Sequence, residues 1–381
     1  MIGKSVNRDS RYYFFVVARR AIVVLLLLVV CTAISSCARP ETEEVTLVEE
    51  PRIVVTEPKE TADAFMGDWQ GSWKLDDGTE SGPLAAQVIA LGDGKYRAKF
   101  IEGFDLTVSP YAVVDGLREG GKVGLIGKGE YEGTDLKVQA MIGEEKLSGN
   151  FQWQDWDGQE IAGSFSLSKT VRLSPTLGAK PPAGAIVLFD GTNLDEWEHT
   201  QRKQGVSSAQ WRLVEGGAME VKRGTGSIVT KKKFKEFKLH LEFRTPFMPA
   251  ARGQGRGNSG VYLQGRYEVQ VLDSYGLEGK DNECGGIYKV GAPLVNMCAP
   301  PMQWQTYDVT FRAPRFDGAG NKISDATATV IHNGVTIHDN IKLPGPTGGS
   351  LDSNVAEPGG IYLQDHGNPV QFRNIWIVEL E

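Results

Sequence analysis

Short segments in which apolar and polar residues alternate recur from about residue 65 to the C-terminus, and turn pairs such as Asp93-Gly94 separate them. This period of two is typical of strands with one buried face, and helical periodicity is rare along the chain. The pattern predicts an all-β protein in two parts. A smaller antiparallel barrel or sandwich is expected over residues 65–170, a Pro- and Gly-rich linker over 171–183, and a two-sheet jelly-roll sandwich over 184–381.

The clearest alternation lies in residues 257–273, which predict a β-hairpin. Apolar and polar residues alternate there: Val261, Leu263, Val269 and Val271 with Tyr262, Gln264, Glu268 and Gln270. One face of the hairpin is therefore apolar, and the other presents a phenol, two amides and a carboxylate. Such a polar face is typical of the floor of a groove for a hydroxyl-rich ligand, because buried polar groups need partners. An ordinary solvated outer face is the alternative.

One pentapeptide of this hairpin recurs later in the chain. Gly260–Gln264 reads Gly-Val-Tyr-Leu-Gln, Gly360–Gln364 reads Gly-Ile-Tyr-Leu-Gln, and Gly286-Ile287-Tyr288 is a partial third copy. Shared β propensity after a turn glycine would produce such copies. Alternatively, equivalent strands direct their Tyr and Gln side chains into a common groove.

The first 36 residues resemble an export signal, because basic residues precede an apolar run, Ala21 to Val30, that is short for a membrane span. Ile34-Ser35-Ser36-Cys37 fits the bacterial lipobox, so Cys37 is expected to become a lipidated N-terminus. The lipid would hold the protein in the cell envelope, facing the periplasm or the exterior. A plain secretory signal or a signal anchor is the alternative. Residues 37–64, rich in Glu, Thr and Pro, predict a disordered tether.

Charge and cysteine content refine this prediction. Residues 1–36 carry five basic residues and one acidic residue, so their removal changes the formal net charge from −7 to −11. This acidity argues against nucleic acid as a partner. Cys284 and Cys298 then remain as a pair, and an oxidising compartment would allow a disulfide worth roughly 2–4 kcal/mol. Zinc binding is the weaker alternative, because no His or third Cys lies at zinc-like spacing.

A known family shares several motifs of the C-terminal part. They are Leu188–Leu194 with Trp197, Leu241–Arg244, Gly257–Gly260, Tyr267–Asp273, Trp304–Tyr307, Gln364–Gly367 and Phe372–Ile375. In this order they resemble the 3-keto-disaccharide hydrolase family, over about residues 184–381. The resemblance implies a concanavalin A-like jelly roll, a hydrolase or lyase activity on 3-keto-glycosides, and a glycoside as the substrate.

The implied chemistry needs a base, an acid and a group that stabilises an enediolate. A ketone at C3 acidifies the C2 proton, so a base can remove it and the C1 substituent can leave; hydration completes a net hydrolysis. His366, beside Asp365, and Glu268 are the first candidates for the base. Both are also candidate ligands of a divalent metal, whose identity the sequence does not give. Asp273 is a third catalytic candidate, and Glu242 is a further carboxylate.

Other polar and aromatic residues are candidates for substrate binding. Arg244 would lie near an anionic intermediate, and Trp304 would offer an apolar surface to a sugar ring. Amide and hydroxyl side chains would bind sugar hydroxyls: Asn258, Tyr262, Gln264, Gln270 and Gln364.

Two other functions fit the same residues. A retaining glycosidase of the jelly-roll glucanase type would pair Glu268 with Asp273, although Gln270 stands where such enzymes carry a middle carboxylate. A non-catalytic carbohydrate-binding protein would use the same fold without chemistry. Convergence of His366, Glu268 and Asp273 in one pocket would favour an enzyme, and their separation would favour binding.

Overall fold

The computed structural model describes residues 54–56, 63–104, 109–131, 133–143, 145–200 and 208–381. The predicted signal peptide and Cys37 lie outside these residues. Within them, no helix is long and apolar enough to cross a membrane. A short strand, Val54–Thr56, falls inside the range predicted as a tether and pairs with residues 171–173, so this part of the range differs from the prediction.

The N-terminal part is a closed antiparallel barrel of eight strands. Successive strands pair with their neighbours, and β9 closes the ring because it pairs with both β2 and β8. The strands are β1 Val54–Thr56 outside the ring and, within it, β2 Gly67–Leu75, β3 Ser81–Gly92, β4 Lys95–Ile101, β5 Ala112–Glu119, β6 Lys122–Tyr131, β7 Thr134–Ile142, β8 Lys146–Gln154 and β9 Glu160–Leu173.

The alternating sequence pattern explains the barrel. In β7, alternate residues Leu136, Val138, Ala140 and Ile142 are buried, and the residues between them face outward. Burial of one face per strand fills the interior, and closure leaves no unpaired edge within the ring.

The C-terminal part is a sandwich of two antiparallel sheets. The larger sheet has the order β12-β13-β24-β15-β18-β21-β22, with β10 also paired to β24, and the smaller sheet has the order β11-β14-β23-β16-β17. A 3-10 turn, Gly253–Gly255, is the single helical element among the described residues. The strands are β10 Ile186–Phe189, β11 Trp197–His199, β12 Arg212–Val214, β13 Ala218–Glu220, β14 Ile228–Thr230, β15 Phe237–Arg244, β16 Ser259–Leu263, β17 Tyr267–Val271, β18 Gln305–Arg312, β19 Arg315–Phe316, β20 Lys322–Ser324, β21 Ala326–His332, β22 Val335–Leu343, β23 Tyr362–Leu363 and β24 Gln371–Glu379.

The all-β fold with a jelly-roll sandwich after a smaller β domain is therefore confirmed. Both sheets of the sandwich contribute large apolar side chains to the core, among them Phe237, Phe243 and Phe311 from the larger sheet and Val261 and Val269 from the smaller. Of the two alternatives for the N-terminal part, the structure has the barrel.

The barrel and the sandwich share a buried polar junction. Arg172 Nε of β9 lies 2.8 Å from Asp68 Oδ2 of β2, and both side chains are almost fully buried. The sandwich reaches this pair twice. The Tyr275 hydroxyl donates to Asp68 Oδ1 at 2.8 Å, and the Gln303 amide donates to the Arg172 carbonyl at 2.7 Å.

Cys284 and Cys298 are both free thiols in this structure, so their disulfide in the exported protein stays a prediction. Each is buried and hydrogen-bonds within the core. Cys284 Sγ lies 3.3 Å from the Tyr307 hydroxyl, and Cys298 Sγ lies 3.4 Å from the Leu272 carbonyl. Sequence separation alone did not reveal that both residues belong to the sandwich core.

Candidate active site

The hairpin predicted over residues 257–273 is formed by β16 and β17. Tyr262 pairs with Glu268 across the hairpin and with Tyr362 of β23 on its other side. Directly paired residues of antiparallel strands lie on the same face of a sheet, so the three side chains form one cluster. Val261 and Val269, on the opposite face, belong to the hydrophobic core.

Glu268 is the central group of this cluster. Its side chain is only 3% exposed. It lies so close over the backbone of Gly260 that a Cβ atom there would be 2.2 Å from Oε1, so a larger residue at this position would displace the carboxyl group. Burial raises the pKa of Glu268 to about 8, although a hydrogen bond with the Tyr262 hydroxyl acts in the opposite direction. A carboxyl group with such a pKa can exchange a proton near neutral pH.

Two phenols and an amide surround the carboxyl group. The Tyr262 and Tyr362 rings stack with their centroids 4.4 Å apart and an interplanar angle of 26°. The Gln364 amide donates to the Tyr262 hydroxyl at 3.2 Å. Burial, followed by the nearby Glu268 carboxylate, raises the pKa of Tyr262 well above its usual value, so its hydroxyl keeps its proton. The near-repeat of Gly260–Gln264 at Gly360–Gln364 thus places both Tyr side chains together with Gln364, whereas Gln264 of the first copy is not part of this contact.

The partial third copy, Gly286-Ile287-Tyr288, continues this face beyond β17. Its backbone pairs with that strand: the Tyr288 amide donates to the Glu268 carbonyl at 3.2 Å, and Val269 forms a bridge with Ile287. Tyr288 was not among the predicted site residues, although the repeated Gly-Ile-Tyr pointed to it.

A glycine-rich segment, Thr347–Gly349, covers the cluster and was not predicted either. The Tyr262 hydroxyl donates to the Gly348 carbonyl at 2.8 Å. Gly349 lies so close that a Cβ atom there would be 2.6 Å from the same hydroxyl oxygen. The Gly348-Gly349 pair is the sequence signal of this close approach.

Three of the predicted sugar-binding amides hold the fold around the cluster. Gln270 donates to Asn258 Oδ1 at 2.9 Å, and Asn258 donates to the Gln254 carbonyl at 2.8 Å. Gln264, at the hairpin turn with φ +54°, donates to the carbonyls of Phe234 and Lys235. All three predicted side chains are buried and hydrogen-bonded within the protein.

Asp273 does not join Glu268. Its Oδ2 lies 2.7 Å from Arg256 Nε in an ion pair that is almost fully buried. Burial raises the pKa of Asp273, and the Arg256 charge opposes this change. The ion pair stabilises the loop that precedes β16. The Asp273 amide also donates a hydrogen bond to the Arg256 carbonyl, so the two residues are joined through their backbones as well.

His366 lies on the loop after β23 and is exposed. Its neighbour Asp365 anchors this loop, because its Oδ2 accepts hydrogen bonds from the amides of Gly224 and Gly226 at 3.0 and 3.1 Å. Among the described residues, no hydrogen bond joins His366 to Glu268, and Asp273 is paired with Arg256 and not with either of them.

Arg244, Trp304 and Glu242 lie on the larger sheet, in a separate polar cluster. Arg244 and Arg373 lie over the Trp304 ring at 4.8 and 4.1 Å from its centroid. Glu242 Oε2 accepts from Arg373 at 2.6 Å, and Oε1 accepts from the amide of Gly178 in the linker at 2.6 Å. Burial alone would raise the pKa of Glu242, but these and other hydrogen bonds lower it to about 2. This carboxylate fastens the linker and is separate from the Glu268 cluster.

The residues proposed as metal ligands do not form a cation site. In the part of the chain that the structure describes, no three His, Cys, Asp or Glu side chains are grouped so that they could hold a metal ion. Glu268 is surrounded by phenols, and His366 lies on an exposed loop.

Comparison with known proteins gives one family match and several similar structures. The model of a 3-keto-alpha-glucoside-1,2-lyase-like domain matches residues 184–378. A crystal structure of a proposed glycosyl hydrolase from Parabacteroides distasonis ATCC 8503 is 40% identical, with a TM-score of 0.48, and the match covers 52% of this chain and 85% of that one. A second from the same organism is 20% identical, with a TM-score of 0.38 and coverages of 52% and 95%. No curated protein matches the chain.

Proposed function

The chain belongs to the 3-keto-alpha-glucoside-1,2-lyase-like family, as its motifs predicted, and we propose that it cleaves 3-keto-glycosides by elimination followed by hydration. The family makes it a carbohydrate-active enzyme. The finer assignment is supported by one observation: a single buried carboxyl group, Glu268, lies among phenols, and the other candidate carboxylate of the hairpin is held by Arg256.

In the proposed reaction, Glu268 removes the C2 proton of the 3-keto-sugar. The electron pair of the C2–H bond moves toward the C3 carbonyl, whose oxygen gains negative charge. The Tyr262 hydroxyl, which keeps its proton, is the donor best placed to stabilise that oxygen. The enolate then forms the C1–C2 double bond and expels the C1 substituent, which takes up a proton. Addition of water across C1–C2 restores the 3-keto-sugar.

His366 is the proposed source of the proton for the leaving oxygen. It follows Gln364, whose amide contacts Tyr262, by two residues, and it is exposed to solvent. Imidazole can donate a proton near neutral pH. Glu268, in contrast, is covered, so the Thr347–Gly349 segment must move before a sugar reaches it.

A retaining glycosidase is less well supported. That mechanism needs two carboxyl groups about 5–5.5 Å apart, one as nucleophile and one as acid. Asp273 is instead committed to Arg256, and Gln270 lies between the two carboxyl groups in sequence and donates to Asn258. Non-catalytic sugar binding is the second candidate function, because Asp273, one of the three predicted catalytic residues, is held by Arg256.

An assay with matched substrates tests the proposal. The protein is incubated with a 3-keto-glucoside and with its unoxidised parent, with and without a chelator, and release of the C1 substituent is measured. We expect release from the keto-sugar alone, because only its C2 proton is acidic. Cleavage of the unoxidised parent alone would replace the proposal with a glycosidase, and saturable binding without release would replace it with a binding protein. The chelator arm measures any need for a metal.

The N-terminal residues support a proposal about location. The lipobox that ends at Cys37 leads us to propose that the enzyme is lipid-anchored in the cell envelope and faces the periplasm or the exterior. Replacement of Cys37 with Ser should leave the signal uncleaved and prevent acylation, which mass spectrometry of the intact protein measures. A variant processed at the same position as the wild type would instead indicate a plain secretory signal.

A further inference from the structure

The barrel contains an open cavity at one end that the family match does not include. Its volume is about 80 Å³, and it lies where β2, β6 and β8 end. Part of the cavity wall consists of buried apolar side chains such as Phe100, Phe165 and Leu136. Eight-stranded barrels have an interior that can hold one small ligand.

Five aromatic side chains form a continuous partial ring around the mouth. Trp73 packs edge-on against Phe151 at 6.0 Å, and Phe151 stacks on Trp153 at 5.8 Å. Tyr131 lies 5.0 Å from Trp153 and 6.0 Å from Tyr111. All five are only partly buried, so part of each ring is accessible from solvent.

Two of these rings lie directly over glycine residues of neighbouring strands. A Cβ atom on Gly163 would lie 2.3 Å from Phe151 Cζ, and one on Gly82 would lie 2.9 Å from Trp73 Nε1. The rings therefore pack directly against the backbone of neighbouring strands. Their orientation is fixed before any ligand binds, which lowers the entropy cost of binding.

One carboxylate, Glu80, lines the cavity, and the connections next to β2 and β8 carry further acidic residues. These connections, 76–80 and 154–160, contain no Lys or Arg. They contribute six carboxylates: Asp76, Asp77, Glu80, Asp155, Asp157 and Glu160. None of these six forms a salt bridge with another described residue.

We propose that this aromatic cage binds an organic cation, a quaternary or alkyl ammonium group. Aromatic faces attract such cations, and the attraction strengthens as the cation loses water. No described Lys or Arg lies over the rings of Trp73, Phe151 or Trp153, although such pairs occur elsewhere in the protein. The Glu80 carboxylate, which lines the cavity without a salt bridge to another described residue, adds long-range attraction for a positive ligand. A neutral sugar or an apolar chain would not benefit from that charge.

Isothermal titration calorimetry with choline and with its neutral carbon isostere, 3,3-dimethyl-1-butanol, tests the proposal. The two ligands share shape and hydroxyl group and differ in charge. We expect choline to bind at least about tenfold more tightly, and its affinity to fall as salt rises. Equal affinities would overturn the proposal in favour of an apolar site, and absence of choline binding would overturn it altogether.

Variants with matched controls test whether choline binds within the aromatic cage. Trp153→Ala should weaken choline binding about fivefold or more, whereas Trp156→Ala should not, because Trp156 is 79% exposed and lies outside the cavity. If Trp153→Ala does not fold, Glu80→Gln, at an exposed position, should still lower the affinity and its dependence on salt. Choline binding that survives both Trp153→Ala and Glu80→Gln would place the site elsewhere. These measurements do not depend on the sugar chemistry.

Discussion

Replacement of Glu268 with Gln is expected to lower kcat on a 3-keto-glucoside by roughly 10²–10⁴-fold and to change KM little. Gln keeps the shape of the side chain and most of its hydrogen bonding but cannot accept the C2 proton. The substitution therefore destabilises the transition state and leaves the affinity for the bound substrate almost unchanged. Steady-state kinetics of the two proteins measures both effects. Near-normal turnover by the variant would remove Glu268 from the mechanism.

The pH profile of the wild type provides a second measurement on the same group. A base acts in its deprotonated form, and burial raises the pKa of Glu268 to about 8. The value of kcat/KM should then rise with pH and level off above about 8, because the free enzyme must first lose this proton. A rate that falls through this range would make Glu268 an acid.

Thermal melting shows whether the Glu268→Gln variant is folded. The pKa of Glu268 also predicts how the stability difference between wild type and variant changes with pH. Glu268 binds its proton more tightly in the folded than in the unfolded state, where the pKa is near 4.5. As pH rises from about 4.5 to about 8, the unfolded state releases its proton first, so the wild type loses stability. Glu268→Gln removes this loss. The variant should therefore melt above the wild type at pH 9 and close to it at pH 4.

Asp273→Asn is the matched test of the glycosidase alternative. Asp273 is paired with Arg256 and does not contact Glu268, so its replacement should lower stability and leave kcat on the keto-sugar within a few-fold. A loss of kcat as large as that of Glu268→Gln would instead indicate that the two carboxyl groups act as a pair.

The sequence predicted the hairpin and its polar face because both follow from local alternation. Tyr262 and Glu268 lie opposite each other in adjacent strands, and the repeated pentapeptide located Tyr362 and Gln364 beside them. These contacts depend on β pairing, which a pattern of period two reports directly.

Other predicted site residues lie away from the Glu268 cluster, because their positions depend on contacts distant in sequence. The alternating pattern of β15 does not indicate which sheet the strand joins. In the structure β15 lies in the larger sheet, so Arg244 and Glu242 are separate from the Glu268 cluster on the smaller sheet. Nothing in the sequence indicates that Asp273 is occupied. In the structure it forms an ion pair with Arg256, which lies in the loop before β16. Buried polar groups recruit partners from the whole fold, and a sequence alone does not list those partners.

The junction between barrel and sandwich also depends on distant contacts. Asp68 lies in the barrel, outside the matched family domain, and accepts hydrogen bonds from Arg172 of the barrel and Tyr275 of the sandwich. Its carboxylate therefore joins the two parts at a buried site. The exposed ion pair between Arg97 and Asp115 offers a comparison within the same barrel, because its side chains are largely solvated.

Asp68→Asn is expected to lower the free energy of unfolding by roughly 3–5 kcal/mol, because the variant leaves the Arg172 charge buried without compensation. Asp115→Asn removes one carboxylate of an exposed pair and should cost at most about 1 kcal/mol. Urea unfolding followed by tryptophan fluorescence compares the two variants. If the junction couples barrel and sandwich, Asp68→Asn should also separate their unfolding into two transitions. Equal and small losses in both variants would mean that the junction contributes no more than a surface ion pair.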